Sequence, residues 1–189
     1  MILLDLEKKY QGKYLTYYVA KYKNNDGGIK EYEFISRNNS LTKESFHHRF
    51  PAGVGMVALS MDKSKILLQK EFRMATNEWV YNFPAGLIDE GETPEDAAKR
   101  ELREETGLEL KEIIATLPPS YASQGTSDEM MSIVIAKVEG DIKGSIYVDE
   151  EIIPQWFTKD EARKLIEDKK SFFSVRTQMF VYMWVNEKD

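Results

Sequence analysis

Three glutamates near the middle of the chain have a spacing that suits a metal site on a helix. Glu101, Glu104 and Glu105 fall within about 100° of arc on a helical wheel, and Ala98 and Leu102 form an apolar flank beside them. Carboxylates clustered in this way are typical ligands of Mg²⁺ or Mn²⁺, which a few carboxylates hold together with water and substrate phosphates. The spacing therefore indicates a divalent-cation site for a phosphate-containing substrate.

The helix that would carry these carboxylates has a recognisable start. Thr93 is placed to act as the N-cap, Pro94 suits the first helical position, and Asp96 follows three residues after the threonine. Glu104 and Glu105 then lie in the last turn, where the helix dipole disfavours negative charge. This local mismatch favours a bound cation.

An ordinary alternative is a solvated helix held by ion pairs. Arg100 lies four residues before Glu104, so these two side chains can pair, and Lys99 and Arg103 can screen the remaining carboxylates. A run of charged residues alone usually marks such a solvated face. The longer segment that contains these glutamates is a more specific indicator of function than the run of charges alone.

That segment, residues 86–108, resembles the signature sequence of the Nudix hydrolases. The family pattern is a glycine, five residues, a glutamate, seven residues, and then Arg-Glu-apolar-x-Glu-Glu-x-Gly-apolar. The chain matches every fixed position, with Gly86, Glu92, Arg100, Glu101, Leu102, Glu104, Glu105, Gly107 and Leu108. The resemblance implies an α/β protein with the Nudix fold, an α/β/α sandwich around a mixed sheet. It also implies metal-dependent hydrolysis of a nucleoside diphosphate linked to another group.

The resemblance assigns expected roles to several side chains. Glu101, Glu104 and Glu105, with the carbonyl group of Ala85, are expected to bind Mg²⁺ as cofactor, or Mn²⁺ in its place. Whether two or three ions bind is left open. Arg100 is expected to orient the glutamates, and we count Arg100 and Glu104 among the catalytic residues.

Composition limits the remaining possibilities. The 189 residues suffice for one domain, alone or with a small appendage, and 42% hydrophobic residues with 12% aromatic residues argue against disorder. The chain has no cysteine, which excludes disulfides, thiolate zinc sites and cysteine nucleophiles. A net charge of −6 without a basic block argues against nucleic acid or a membrane surface as a partner. The first residues do not resemble a signal peptide, so we expect a cytoplasmic protein.

The N-terminal segment predicts a small antiparallel β appendage. Two stretches rich in β-branched and aromatic residues flank Asp26-Gly27, which predicts a two-stranded hairpin within residues 10–37. A polar, turn-rich stretch follows, so we expect an N-terminal region at residues 1–50 and a Nudix hydrolase domain at residues 51–189. In Nudix enzymes of the ADP-ribose pyrophosphatase type, which this arrangement resembles, a small N-terminal sheet helps to build a dimer. We therefore expect a homodimer, the alternative being a hairpin that only caps its own domain.

Apolar runs and helical periodicity predict the remaining elements. Strands are expected at residues 53–60, 66–70, 110–117, 130–138 and 152–158, and helices at residues 159–169 and 175–185. Pro118 and Pro119 are expected to end the third of these strands.

Four residues are expected to contact the substrate, because their surroundings are similar to those in Nudix proteins of the ADP-ribose type: Arg49, Arg73, Trp79 and Glu129. Arg73 would reach the diphosphate, and Trp79 would stack on adenine if it lies at the rim of the cleft. The ordinary alternatives are an edge charge for Arg73 and core packing for Trp79. Gln124 departs from the subgroup pattern, which has proline at this position.

A carboxylate on a loop facing the signature helix would remove a proton from the attacking water. By resemblance Glu150 is the first choice for this general base, with Glu151 and Glu129 in reserve. The expected reaction converts ADP-ribose into AMP and ribose 5-phosphate, or cleaves a related nucleoside diphosphate sugar. Alternatives are a Nudix hydrolase for dinucleoside polyphosphates or oxidised nucleotides, and a module that senses ADP-ribose without cleaving it.

Overall fold

The structure, a computed structural model, describes residues 1–46, 50–147 and 149–187. In these residues the chain forms eleven strands and three helices. The strands are β1 (Ile2–Gln11), β2 (Thr16–Lys23), β3 (Ile29–Ser36), β4 (Gly53–Leu59), β5 (Lys65–Arg73), β6 (Glu78–Asn82), β7 (Ala85–Leu87), β8 (Glu109–Tyr121), β9 (Met130–Glu139), β10 (Ile152–Thr158) and β11 (Phe172–Phe173). The helices are α1 (Pro94–Thr106), α2 (Lys159–Glu167) and α3 (Val175–Asn186).

The chain divides into two compact units. The first unit contains residues Met1–Ala52 together with Pro119–Met131, and the second contains Gly53–Pro118 together with Ser132–Asp189. The assignment of residues 1–50 as a separate N-terminal region and of 51–189 as the catalytic domain stays a prediction.

In the first unit, β1, β2 and β3 form an antiparallel sheet in that order. Its core is built around Tyr18, Ala20 and Phe34, and the Tyr18 and Phe34 rings stack with centroids 5.6 Å apart. The antiparallel appendage and its predicted hairpin, formed by β2 and β3, are thus confirmed, and β1 adds a third strand that the sequence did not predict. The β1 residues are mostly exposed, and half of them are polar or charged, so we attribute the stability of this strand mainly to its pairing with β2.

The second unit is organised around a mixed sheet. Its strands follow the order β11-β6-β5-β4-β9-β8, with β10 paired to β5 and β7 paired to β4. β11 runs parallel to β6, whereas the β4–β5, β5–β6, β5–β10 and β4–β7 pairs are antiparallel. Register places Gln69 of β5 directly opposite Asn82 of β6.

Alternating side chains of the central strands build a core on each face of this sheet. On β4, Met56 packs with Ala97 and Leu102 of α1, whereas its neighbour Val57 packs with Val181 of α3. Helix α1 therefore covers one face, and α2 and α3 cover the other. This arrangement confirms the predicted α/β/α sandwich around a mixed sheet.

The long strand β8 corrects one predicted boundary. Pro118 and Pro119 were expected to end the strand, but β8 continues through both prolines to Tyr121. β8 is the last strand in the order of its sheet, and edge strands tolerate proline because one row of their N–H groups has no ladder partner.

Candidate active site

Helix α1 begins and ends where the local sequence predicts. The Thr93 side chain accepts a hydrogen bond from the Asp96 N–H at 3.2 Å, and Pro94 occupies the first helical position. Gly107 ends the helix in the left-handed conformation, with φ of 75°, and its N–H donates to the Arg103 carbonyl at 2.9 Å. Both ends of the carboxylate-bearing helix are therefore fixed by short-range interactions.

Arg100 holds the outer carboxylates of the site. Its Nε and Nη2 atoms donate to the two oxygens of Glu92 at 2.9 and 2.8 Å, and Nη2 also donates to the Leu87 carbonyl at 2.9 Å. Its Nη1 atom donates to Glu101 at 2.7 Å and to Glu104 at 3.3 Å. The guanidinium lowers the pKa of Glu92 to about 2. One positive charge is thus paired with three carboxylates.

Glu105 lies deeper than the other glutamates, with 5% of its surface exposed. Its Oε2 atom accepts hydrogen bonds from the Ala85 N–H and from Nε2 of Gln69, each at 3.2 Å. Burial raises the pKa of Glu105 to about 8, and the charges of nearby glutamates add to this effect. Both donors are neutral, so the contacts described for this buried carboxyl group provide no positive charge.

The loop before the helix approaches Glu101 very closely. A Cβ atom at Gly86 would lie 1.9 Å from Cδ of Glu101, so only glycine fits here without a shift. Burial raises the pKa of Glu101, Arg100 lowers it in part, and the charges of Glu104 and Glu150 raise it further. The last contribution indicates that the Glu150 carboxylate lies within electrostatic range of Glu101.

The segment leading to Glu150 is attached to the last turn of α1. The backbone N–H of Lys143 donates to the Thr106 carbonyl at 3.0 Å, and that of Ile146 donates to the Glu104 carbonyl at 2.9 Å. The Tyr147 hydroxyl group donates to Oε2 of Glu104 at 3.0 Å. These contacts join residues 143–147 to the last turn of α1, and the Glu150 N–H donates to the Tyr147 carbonyl at 3.4 Å.

The donor set suits a hard divalent cation, although the side chains are not preassembled around one. Among the residues described, no group of three His, Cys, Asp or Glu side chains is arranged to hold a metal ion. Glu101 and Glu104 are not arranged around a cation because each forms an ion pair with Arg100. The buried Glu105 carboxyl group, held by neutral donors next to two further carboxylates, nevertheless fits a cation bound by oxygen ligands.

Two of the predicted substrate residues, Arg73 and Trp79, lie on β5 and β6 of the second unit. Arg73 lies on the same face of β5 as Glu71, with which it forms an ion pair. Trp79 is opposite Phe72 in the β5–β6 register, so it lies on the other face of the sheet, where its ring contacts Phe72 edge-on. Their roles as substrate contacts stay predictions.

The geometry of this site does not test the other two predicted substrate residues. Glu129 belongs to the first unit, where its carboxylate accepts from Nε of Arg37 at 2.7 Å. Arg49 lies outside the residues that the structure describes.

Two polar residues at the site were not found from the sequence. Gln69 contacts the carboxyl group of Glu105, and Tyr147 contacts that of Glu104. One feature of the sequence could have indicated Gln69, because it is a polar residue at the end of the apolar run Ile66–Leu68. Nothing local pointed to the tyrosine, whose contact joins residues far apart in the chain.

The chain is similar to proteins of one family. A model of the NUDIX domain matches residues 49–175. The chain is 26% identical over 183 residues to the ADP-ribose pyrophosphatase of Bacillus subtilis (strain 168), a match covering 96% of this chain and 91% of that protein. It is 30% identical over 152 residues to the ADP-ribose pyrophosphatase of Escherichia coli (strain K12), covering 74% and 72% of the two chains.

A crystal structure described as an ADP compounds hydrolase superposes with a TM-score of 0.72. The two chains are 20% identical, and the match covers 97% of this chain and 92% of the other, which supports the fold. In the described part of the chain, no helix has the length and apolar character needed to cross a membrane.

Proposed function

The chain belongs to the Nudix hydrolase family, and we propose that it hydrolyses the pyrophosphate bond of ADP-ribose or a related nucleoside diphosphate sugar. The observation that carries the proposal is the complete set of signature carboxylates: Arg100 of α1 pairs with Glu92, Glu101 and Glu104, and Glu105 is buried on the same helix. The ADP-ribose pyrophosphatases similar to this chain support the choice of substrate. From ADP-ribose the products would be AMP and ribose 5-phosphate.

Nudix hydrolases generally need a divalent metal, and Mg²⁺ or Mn²⁺ is the ion we propose here. Glu101, Glu104, Glu105 and the Ala85 carbonyl would hold it. The bound ion would neutralise the charge that grows on the phosphoryl oxygens during hydrolysis. Arg100 would keep Glu101 and Glu104 in reach of the cation while remaining bonded to Glu92.

Glu150 is the residue that we propose to accept a proton from water. The water oxygen forms the new bond to phosphorus, its proton passes to the Glu150 carboxylate, and the bridging oxygen leaves with the other product. The attachment of residues 143–147 to the end of α1 supports this role, because it keeps Glu150 close to the metal-binding carboxylates. Glu151 and Glu129 are the reserves.

Arg73 is the residue that we propose to contact the diphosphate. It is a cation on the face of β5 that carries Gln69 and Glu71, and its ion pair with Glu71 orients the guanidinium. A planar guanidinium suits phosphate oxygens because it can donate two parallel hydrogen bonds. Contacts from Arg49, Trp79 and Glu129 stay part of the proposal.

Turnover of a substrate panel tests the proposed function. ADP-ribose would be compared with UDP-glucose, GDP-mannose, NADH, diadenosine polyphosphates and an oxidised nucleotide, each with Mg²⁺ and with Mn²⁺, and the products separated by chromatography. We expect ADP-ribose or another nucleoside diphosphate sugar to be cleaved fastest, and Glu105→Gln to be inactive. Glu95→Gln is the matched control, because Glu95 lies on the same helix in its first turn.

Two results would change the proposal. Fastest cleavage of a dinucleoside polyphosphate or an oxidised nucleotide would keep the enzyme class and replace the substrate. Binding of ADP-ribose without cleavage of any compound would replace the hydrolase by a module that senses ADP-ribose. The homodimer through the N-terminal β region and the cytoplasmic location are further parts of the proposal.

A further inference from the structure

A pair of buried amides lies beneath the carboxylate cluster. Gln69 on β5 and Asn82 on β6 are cross-strand neighbours, with 1% and 6% of their surfaces exposed. Nε2 of Gln69 donates to Glu105 at 3.2 Å, and Nδ2 of Asn82 donates to Glu71 at 3.0 Å. Each amide therefore directs its NH₂ group at a different carboxylate.

The orientation of these amides is determined by the carboxylates. In the described part of the chain, Oε1 of Gln69 and Oδ1 of Asn82 are buried and accept no hydrogen bond. Rotating the Gln69 amide by 180° would place its oxygen against Oε2 of Glu105, where two acceptors repel each other. The glutamine thus keeps its contact with Glu105 at the expense of a buried, unpaired oxygen, which is uncommon in folded proteins.

Both neutral donors converge on a single oxygen of Glu105. The Ala85 N–H and Nε2 of Gln69 contact Oε2, each at 3.2 Å. Ala85 belongs to the loop before the signature helix and Gln69 belongs to the central sheet, so the carboxyl group is fixed from two elements. Oε1 remains the oxygen that these two contacts do not use.

We propose that Gln69 is a positioning residue for the metal ligand Glu105. Its amide holds Oε2 together with the Ala85 N–H and presents Oε1 to the divalent cation. This inference rests on the proposed function, because it takes Glu105 to be a metal ligand. Partners that orient a ligating carboxylate typically contribute a factor of about 10–100 to metal affinity.

Mn²⁺ binding to Gln69→Met provides the test. Methionine keeps the length and approximate volume of the side chain and removes its polar head, so we expect Mn²⁺ to bind about 10- to 100-fold more weakly. Affinity would be measured from the electron paramagnetic resonance signal of free Mn²⁺, without substrate. Asn82→Leu is the matched control, because it removes the other buried amide of this cross-strand pair, which does not contact Glu105. The Mn²⁺ affinity of this variant should stay within about 3-fold of wild type.

Turnover at increasing Mn²⁺ distinguishes positioning from a general structural defect. We expect saturating Mn²⁺ to restore most of the kcat of Gln69→Met, with KM for ADP-ribose little changed, because only the occupancy of the metal site is impaired. If Gln69→Met does not fold, Gln69→Asn keeps the polar head but withdraws it by one methylene, and the same loss of Mn²⁺ affinity is expected. Wild-type Mn²⁺ affinity in the folded variant would overturn the proposal.

Glu105→Gln separates this proposal from the proposed function. Weak Mn²⁺ binding to Glu105→Gln combined with normal binding to Gln69→Met would retain Glu105 as a ligand and reject the role of Gln69. Normal Mn²⁺ binding to Glu105→Gln would reject the metal ligand itself and, with it, the role of Gln69.

Discussion

The Cα atom of Gly86 approaches Glu101 so closely that an added Cβ would lie 1.9 Å from the carboxyl carbon. Gly86→Ala should therefore displace either the loop or the carboxylate. We expect a loss of stability of about 1–3 kcal/mol from overpacking and a fall in kcat/KM of about 100-fold, the scale of a 1 Å displacement in an active site. Urea denaturation and steady-state kinetics would measure the two effects.

Gly28→Ala is the control for that substitution. Gly28 lies in the hairpin turn between β2 and β3, and the three atoms nearest to an added Cβ there belong to the flexible side chain of Asn24. Activity equal to wild type is expected for this variant. If Gly86→Ala were equally active, the close approach to Glu101 would have no role in catalysis.

Arg100 should not be replaceable by lysine. Its guanidinium contacts Glu92, Glu101 and Glu104 simultaneously, and a lysine ammonium group cannot reproduce this branched geometry. We expect Arg100→Lys to lower kcat/KM by about 10- to 100-fold, the scale typical of residues that orient metal ligands. Arg103→Lys is the matched control, because Arg103 pairs with Glu109 on the exposed side of the same helix. Equal activities of the two variants would contradict this role of Arg100.

Metal binding should stabilise the protein only when Glu105 is intact. Mn²⁺ at 100 times its dissociation constant adds about 2.7 kcal/mol, which corresponds to roughly 5–10 °C in Tm for a chain of this size. Glu105→Gln should lose both this increase in Tm and all turnover. In EDTA its Tm should equal or exceed that of wild type, because a neutral amide replaces a buried carboxyl group whose hydrogen-bond donors are neutral. Differential scanning calorimetry with EDTA and with Mn²⁺ would check both parts, and an equal Mn²⁺-induced shift in the variant would contradict the assignment.

The signature helix could be predicted from the sequence because its signals are local. Thr93, Pro94 and Gly107 define its ends through contacts within a few residues, and the fold followed from the family resemblance. Strand β1 could not be predicted in the same way, since its apolar residues do not alternate regularly with polar ones and most of its residues are exposed, so its stability depends on pairing with β2. The continuation of β8 past Pro118 likewise depends on its edge position in the sheet, which no local pattern encodes.

Local sequence patterns also do not predict the contacts inside the site. The glutamates were predictable as a group, but the difference between a buried Glu105 and the more accessible carboxylates held by Arg100 arises from packing against the sheet. Gln69 meets Glu105 across 36 residues of sequence, through the register of β5 and the placement of α1. Strand alternation places Arg73 and Trp79 on opposite faces of the sheet, and their roles as substrate contacts stay predictions.

The oligomeric state can be checked directly. A homodimer through the N-terminal β region predicts a mass in solution of twice 21.9 kDa, measured by light scattering coupled to size exclusion. Exposed apolar side chains on this sheet, including Ile2, Tyr10 and Ile29, would favour association. A mass of 21.9 kDa at every protein concentration would exclude the dimer.

Replacement of Glu150 should separate proton transfer from metal binding. Glu150→Gln removes the proposed proton acceptor but keeps the size of the side chain, so we expect kcat to fall by about 10²- to 10⁴-fold, the usual contribution of a general base. Mn²⁺ affinity and KM for ADP-ribose should change little, because the residues bonded to Arg100 and Glu105 are untouched. Glu151→Gln is the adjacent control, since the described contact of Glu151 uses its backbone carbonyl, which accepts from the Phe72 N–H at 3.0 Å. A larger loss of kcat in Glu151→Gln than in Glu150→Gln would transfer the role of the base to Glu151.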